Sequence, residues 1–208
     1  FNRVLLERSR RNLRALGYFS SVDIEESPGS EPDKTIIDVN VVEQSTGELT
    51  FGVGYSSAES LTTEFSVAER NLLGRGQKLN LRVGVSSEVQ RYSLNFTEPF
   101  FLDRRVSAGF SLFNTENDYD NEANLETRST GVGGRVAFPL SEDGRLSIFL
   151  NLSEDELDNT SSSSLVNPSY KDFKQEIGYY YSIDKRDDAI DPTAGWNFGV
   201  GQDLAGPA

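Results

Sequence analysis

Residues 77–101 read QKLNLRVGVSSEVQRYSLNFTEPFF, and in them Leu79, Leu81, Val83 and Val85, then Tyr92, Leu94 and Phe96, fall on alternate positions. Lys78, Asn80, Arg82, Arg91, Ser93 and Asn95 stand between. Successive side chains of a β-strand leave by opposite faces, so this spacing predicts a strand–turn–strand pair with one apolar and one polar face. The same period returns to the end of the chain, which predicts a sheet that meets hydrocarbon on one side and water on the other.

Working outward, residues 48–56 place Phe51, Val53 and Tyr55 on one face, and residues 62–70 do so with Phe65 and Val67. Beyond the opening pair, Val106, Ala108, Phe110 and Leu112 mark a further strand, and Val132, Val136 and Phe138 the next. Leu146, Ile148, Leu150 and Leu152 follow, then Phe173, Ile177, Tyr179, Tyr181 and Ile183, and last Trp196, Phe198 and Val200. About nine strands in a row, with no helical period among them, predict a mainly β, transmembrane antiparallel β-barrel wall over residues 45–208.

Connection lengths bear on the same reading. Residues 71–76, 99–104 and 139–144 are compact and rich in Gly or Pro, whereas 114–127 and 153–172 are long, acidic and serine-rich. Alternating strand direction puts the first set at one end and the second at the other, as outer-membrane barrels place short periplasmic turns and long outer loops. Asp118, Asp120, Glu122 and Glu126, and Glu154, Asp155, Glu156 and Asp158, are accordingly expected in exposed loops. Phe96, Phe100 and Phe101 near one turn, and Tyr179, Tyr180, Tyr181 and Trp196 near another, suit interfacial girdles.

Residues 1–16 differ. Phe1, Leu5, Leu13 and Leu16 keep helical spacing with Arg8, Arg10, Arg11 and Arg14 around them, and Gly17 ends the run. Alternation through Val22 and Ile24, a turn-rich stretch at 28–32, and alternation through Ile37, Val39 and Val41 predict a helix packed on a short hairpin over residues 1–44. Phe1 opens directly into this pattern with no basic-then-apolar leader, as in an interior piece of a longer chain.

Composition narrows the chemistry. The 208 residues are 25% charged and 36% hydrophobic, which predicts a folded chain. Mean hydropathy is −0.47, and no run approaches the ~20 apolar residues of a membrane helix, but spanning strands need only ~9–11 residues with every second one apolar. With no histidine and no cysteine, His-based triads, histidine metal sites, thiolate sites and disulfides are excluded. A net charge of −13 opposes binding to nucleic acid. Asp118, Asp120, Glu122 and Asn124 have calcium-loop spacing, but Ala123 and Ser129 occupy the places of the required glycine and bidentate glutamate. Asp184, Arg186, Asp187 and Asp188 lie too close along one turn to converge on a substrate atom, and Arg186 suits pairing with its neighbours to hold that turn. No catalytic, cofactor or metal site is expected.

Residues 13–22, LRALGYFSSV, resemble the helix-to-strand corner of a POTRA domain, a periplasmic module. NLLGRG at 71–76, TEPFF at 97–101 and DKRDDAIDPTAG at 184–195 resemble, in order and spacing, the barrel of the BamA family of outer-membrane β-barrel assembly factors. The likeness spans essentially the whole chain, from the last POTRA module to about the ninth barrel strand. It implies a protein of the outer membrane with its N-terminal module in the periplasm, whose partners are unfolded outer-membrane proteins, accessory assembly lipoproteins and outer-membrane lipids. It also implies that the first barrel strand, Leu49, Thr50, Phe51, Gly52, Val53, Gly54 and Tyr55, pairs with client strands at a weak seam. Asp184, Arg186, Asp187, Pro192 and Gly195 are implied as a structural turn motif. The family's arginine signature in an inward-folded loop and its closing strand have no counterpart in residues 1–208, so the TamA-like translocation relative and the two-partner secretion transporters stay open as alternatives. A soluble β-sandwich binding carbohydrate or a partner protein is the remoter competitor.

Overall fold

The computed structural model describes residues 3–31, 34–57, 59–118, 125–159, 169–188 and 191–207. Packing divides the chain into two compact units, residues 1–46 with 186–194, and residues 47–185 with 195–208.

In the first unit, helix α1 (Arg3–Ala15) packs on strand β1 (Phe19–Pro28), which pairs antiparallel with β2 (Thr35–Glu43). Phe1 lies outside the described residues. Leucines and arginines are good helix formers, and the helix stops at Gly17, whose φ of 69° is one that a side chain disfavours. Val22 and Ile24, on the face that alternation assigns to the helix, are buried. Arg10 Nη2 donates to the Ile24 carbonyl at 3.1 Å and Arg14 Nη2 to that of Val22 at 3.3 Å. Ile37, Val39 and Val41 share that face through register with Glu26, Ile24 and Val22, yet stay exposed because α1 covers β1 rather than β2.

The second unit is one antiparallel meander. Its strands are β3 (Gly47–Ser56), β4 (Ser60–Leu72), β5 (Gln77–Val85), β6 (Val89–Glu98), β7 (Ser107–Asp118), β8 (Leu125–Pro139), β9 (Gly144–Asn159), β10 (Tyr170–Asp184) and β11 (Asn197–Pro207). Each pairs with the next in sequence, leaving β3 and β11 at the edges. Register aligns apolar side chains into unbroken rows across the sheet. Leu49, Val67, Leu81, Leu94, Leu112, Val132 and Leu152 oppose one another from β3 to β9. Two residues along, Leu79, Phe96, Phe110, Gly134, Leu150, Ile177 and Leu204 form a second row.

These rows are not a dry core. Phe110 is 46% exposed and Ile148 42%, and among the described residues no second sheet covers them. A sandwich would bury this face between two layers. An apolar face of that extent, open to its surroundings, is stable only against hydrocarbon.

The expectation of long loops at 114–127 and 153–172 is corrected. Strand β7 runs on to Asp118, β8 begins at Leu125, β9 continues to Asn159 and β10 starts at Tyr170. Glu154, Asp155, Glu156 and Asp158 are therefore strand residues, as are Asp118 and Glu126, while Asp120, Glu122, Ala123 and Asn124 lie outside the described residues. Beyond the apolar band both faces become polar, so the alternation vanishes from the sequence while the backbone ladder persists. Cross-strand ion pairs take over: Arg128 with Glu116 at 3.1 Å, Lys171 with Glu154 at 2.7 Å and Lys174 with Asp155 at 2.6 Å.

Candidate functional site

The strand singled out from sequence, residues 49–55, lies within β3 at one edge of the sheet. Leu49 opposes Val67, Phe51 opposes Phe65 and Tyr55 opposes Leu61, so β4 satisfies one side of its backbone. Among the described residues no strand pairs with the other side. Leu49, Phe51, Val53 and Tyr55 all point to the apolar face and are well exposed. Thr50, Gly52 and Gly54 point to the polar face, opposite Ser66, Glu64 and Thr62. A Cβ placed on Gly52 or Gly54 would meet nothing within 4 Å, so no packing inside this sheet requires glycine at either position. The edge offers main-chain donors and acceptors with little side-chain bulk around them.

Next to that edge the polar face is knitted by charge and amide pairs. Arg82 Nε lies 3.4 Å from Glu64 Oε1, and Arg91 Nη2 donates to Glu59 Oε1 at 3.3 Å. Further along, Asn151 Nδ2 donates to Glu176 Oε2 at 2.9 Å, while Arg135 lies over the Phe149 ring, 5.8 Å from its centroid. Such a face is at ease in water and costly in hydrocarbon, which places it toward the interior of a barrel.

The second expected feature, the turn at 184–195, is organised by Asp187. Its Oδ1 accepts the N–H groups of Asp188, Thr193 and Ala194 at 3.0 Å each, and its Oδ2 accepts the Thr193 hydroxyl at 2.5 Å. Sequence reasoning gave the leading role to Arg186; the spacing Asp-x5-Thr-Ala could have pointed to a carboxylate closing its own loop. Asp184 ends β10 with its N–H on the Asp143 carbonyl, Pro192 precedes Thr193, and Gly195 has φ 99°, open only to glycine. Lys185 N–H donates to the Trp196 carbonyl at 2.9 Å, and its ammonium sits 5.7 Å from the indole centroid.

The Thr193 hydroxyl first, then the Ala194 N–H, hold the Asp187 carboxyl down at about 2 from its ordinary 3.8. A group depressed in this way stabilises the folded turn fully above 3.8, and that contribution fades as pH falls through about 2. Amide protection at Thr193 and Ala194 is expected to stay flat from neutral pH to near 4 and to collapse toward pH 2. Asp187→Asn lowers protection at every pH, and hydrogen exchange read by mass spectrometry measures both.

Among the described residues no group of Asp and Glu has metal-binding geometry.

The profile of the Omp85 superfamily domain matches residues 71–208. Outer membrane protein assembly factor BamA of Neisseria meningitidis serogroup B is 28% identical over 97% of this chain, which spans 28% of that protein. BamA of Nitratidesulfovibrio vulgaris is 32% identical over 68% of the chain, or 18% of that protein. Among solved structures, BamA from Haemophilus ducreyi lacking POTRA domains 1–3 superposes with TM-score 0.65 at 22% identity, covering 96% of this chain and 42% of that one. CdiB from Acinetobacter baumannii superposes with TM-score 0.54 at 12% identity, over 97% of this chain and 40% of that one. The chain thus spans between about a fifth and two fifths of the length of these proteins.

Proposed function

The chain belongs to the Omp85 superfamily and to an outer-membrane protein, and from that premise we propose that it is the part of an assembly factor that receives other β-barrel proteins for insertion. Residues 1–44 are the end of a periplasmic POTRA module and residues 45–208 the first part of the barrel. The observation that carries the reading is β3, the first strand of the sheet, whose Gly52 and Gly54 meet nothing within 4 Å among the described residues.

In hydrocarbon an unpaired N–H or C=O costs several kcal/mol, so a spanning edge strand must find a partner. A client strand can supply it by β-augmentation. Main-chain hydrogen bonds carry no sequence preference, which suits one edge serving many clients. Gly52 and Gly54 offer no side chains to cross-strand packing, so a seam formed there opens at low cost. Once the client has folded past it, the edge is free again. No nucleotide drives the cycle; the gain is the client's own backbone pairing and apolar burial. The chemistry is non-covalent and the protein is not an enzyme.

The bilayer beside the wall supports the same scheme. On β9 the outward apolar run is Leu146, Ile148, Leu150 and Leu152, and Glu154 follows on the same face. Six steps of strand give roughly 20 Å, and a tilt of ~35–45° leaves about 15 Å against the usual ~25 Å. A short band thins the membrane locally and eases insertion next to it. Unfolded outer-membrane proteins, accessory lipoproteins and these lipids are the partners of the scheme.

A cysteine replacing Gly54 is the direct test, with the protein in native outer membranes and an unfolded barrel client bearing one cysteine in its terminal strand. A disulfide adduct that forms during assembly and decays as the client folds is the expected result. Adducts formed instead from wall positions such as Ser111 or Asn151, with none from Gly54, identify a barrel that conducts polypeptide through its lumen.

A further inference from the structure

The lipid-facing side of the wall is indented at the end where the short turns lie, the end that outer-membrane barrels direct to the periplasm. Between the β4–β5 turn and the β6–β7 connection opens a cleft of about 860 Å³, within the size range of small-ligand sites. Phe96, Phe100, Phe101 and Leu102 supply its apolar part, and Arg75, Glu98 and Asp103 its charged part.

Depth follows from register. Phe96 belongs to the apolar row of Leu79 and Phe110, its ring centroid 5.6 Å from that of Phe110. Two residues farther toward the turns, on the same face, Gln77 Nε2 donates to Glu98 Oε2 at 2.6 Å. A carboxylate is costly in hydrocarbon, so this pair marks where acyl chains give way to headgroups. The cleft straddles that border.

The connection that walls it is held in a shape its residues do not favour. Leu102 and Asp103 have φ of 56° and 57°, a region that residues with side chains seldom enter. Three bonds keep it so: the Phe100 N–H to Glu98 Oε1 at 3.1 Å, the Phe101 N–H to the Val106 carbonyl at 2.7 Å, and the Asp103 N–H to the Phe100 carbonyl at 3.0 Å. Leu102 is thereby displayed, 73% exposed, next in the chain to the exposed Phe100 and Phe101. Glu98 commits one oxygen each to Phe100 and Gln77, whereas Arg75 and Asp103 form no ion pair among the described residues. A free guanidinium and a free carboxylate in one cleft suit a ligand that carries both signs.

We propose that the cleft binds a phospholipid of the periplasmic leaflet whose headgroup ends in an ammonium, as in phosphatidylethanolamine. The phosphate meets Arg75, whose planar fork suits phosphate oxygens. The ammonium meets Asp103, in a field to which Glu98 adds. An acyl chain lies along the phenylalanines. A phosphatidylglycerol headgroup brings the phosphate without the cation, and sets a net negative lipid against two carboxylates. At the edge of hydrocarbon, where charges are poorly screened, that mismatch counts. The site is independent of what pairs with β3, and a lipid held there fixes the depth of this border of the wall.

The test uses the full-length protein in nanodiscs that hold phosphatidylethanolamine and phosphatidylglycerol in equal amounts, with identical acyl chains. Native mass spectrometry of protein released from the discs counts the lipids it keeps. Phosphatidylethanolamine is expected to be kept over phosphatidylglycerol. Arg75→Gln lowers retention of both about tenfold, the scale of one charge-assisted hydrogen bond, and Arg75→Lys restores most of it. Asp103→Asn removes the preference between the two lipids. Arg105→Gln, in the same connection but outside the cleft, changes neither. Each variant is expected to keep the parent's unfolding midpoint, since all three side chains are exposed. A preference for phosphatidylglycerol, or an equal loss with Arg105→Gln, overturns the proposal, because a diffuse basic field and not the cleft then holds lipid. Retention by the parent no higher than by Arg75→Gln combined with Asp103→Asn overturns it as well, and identifies a cleft covered by protein in the full-length chain.

Discussion

Leu112→Arg is expected to destabilise the protein in bilayers by about 2–4 kcal/mol, the penalty for arginine on the lipid face of a barrel near the membrane midplane. Leu112 stands in the middle of the row from Leu49 to Leu152, with Leu94 and Val132 as its direct neighbours. It is 44% exposed, so the loss of protein contacts alone would be modest. The bilayer supplies the rest. The same substitution one step along, at Ser111 on the polar face, is expected to cost far less, since Asn95 opposite and water can accept its hydrogen bonds. Thr130→Arg, one row nearer the charged rim, falls to about 0–1 kcal/mol. Urea unfolding in liposomes measures the series. Equal costs at Leu112 and Ser111 would contradict a sheet with lipid on one side, and no arrangement of the edge strand would then rescue the assembly scheme.

That two-sidedness was legible because it is a local pattern: Leu79, Leu81 and Val83 need only their own spacing to declare a face. Gly17 likewise ends α1 through its own backbone freedom. What alternation could not reach is the strand outside the membrane. Glu154, Asp155 and Glu156 look like a loop because three acids in sequence carry no period, and only pairing across strands with Lys171, Lys174 and Arg128 reveals why they are extended. The edge at β3 was reached through family likeness rather than from its residues. The seating of Phe149 over Gly178 was out of reach, because a glycine under a ring is a fact of register and the two are 29 positions apart. In the turn at 184–195 the sequence pointed to Arg186 rather than Asp187, since a carboxylate that accepts four local bonds and an arginine beside it look alike in a string of charges.

Gly178→Ala carries the second large effect. Its new Cβ would lie 2.5 Å from Phe149 Cζ, 2.8 Å from Cε1 and 2.9 Å from the Gln202 carbonyl oxygen on β11. The carbonyl belongs to a ladder that cannot shift without breaking the β10–β11 register, and Arg135 lies over the Phe149 ring, so the ring has little freedom to retreat. Overpacking of this kind costs about 1–3 kcal/mol. Gly134→Ala, with nothing within 4 Å, gives the opposite sign: the unfolded chain loses freedom and stability rises by about 0.4–1 kcal/mol. A double-mutant cycle sharpens the comparison. Phe149→Ala removes the ring, so adding Gly178→Ala to it costs less than adding the same methyl to the parent, with a coupling of about 0.5–3 kcal/mol in the direction of relief. Strict additivity would mean that ring and glycine are not packed on one another.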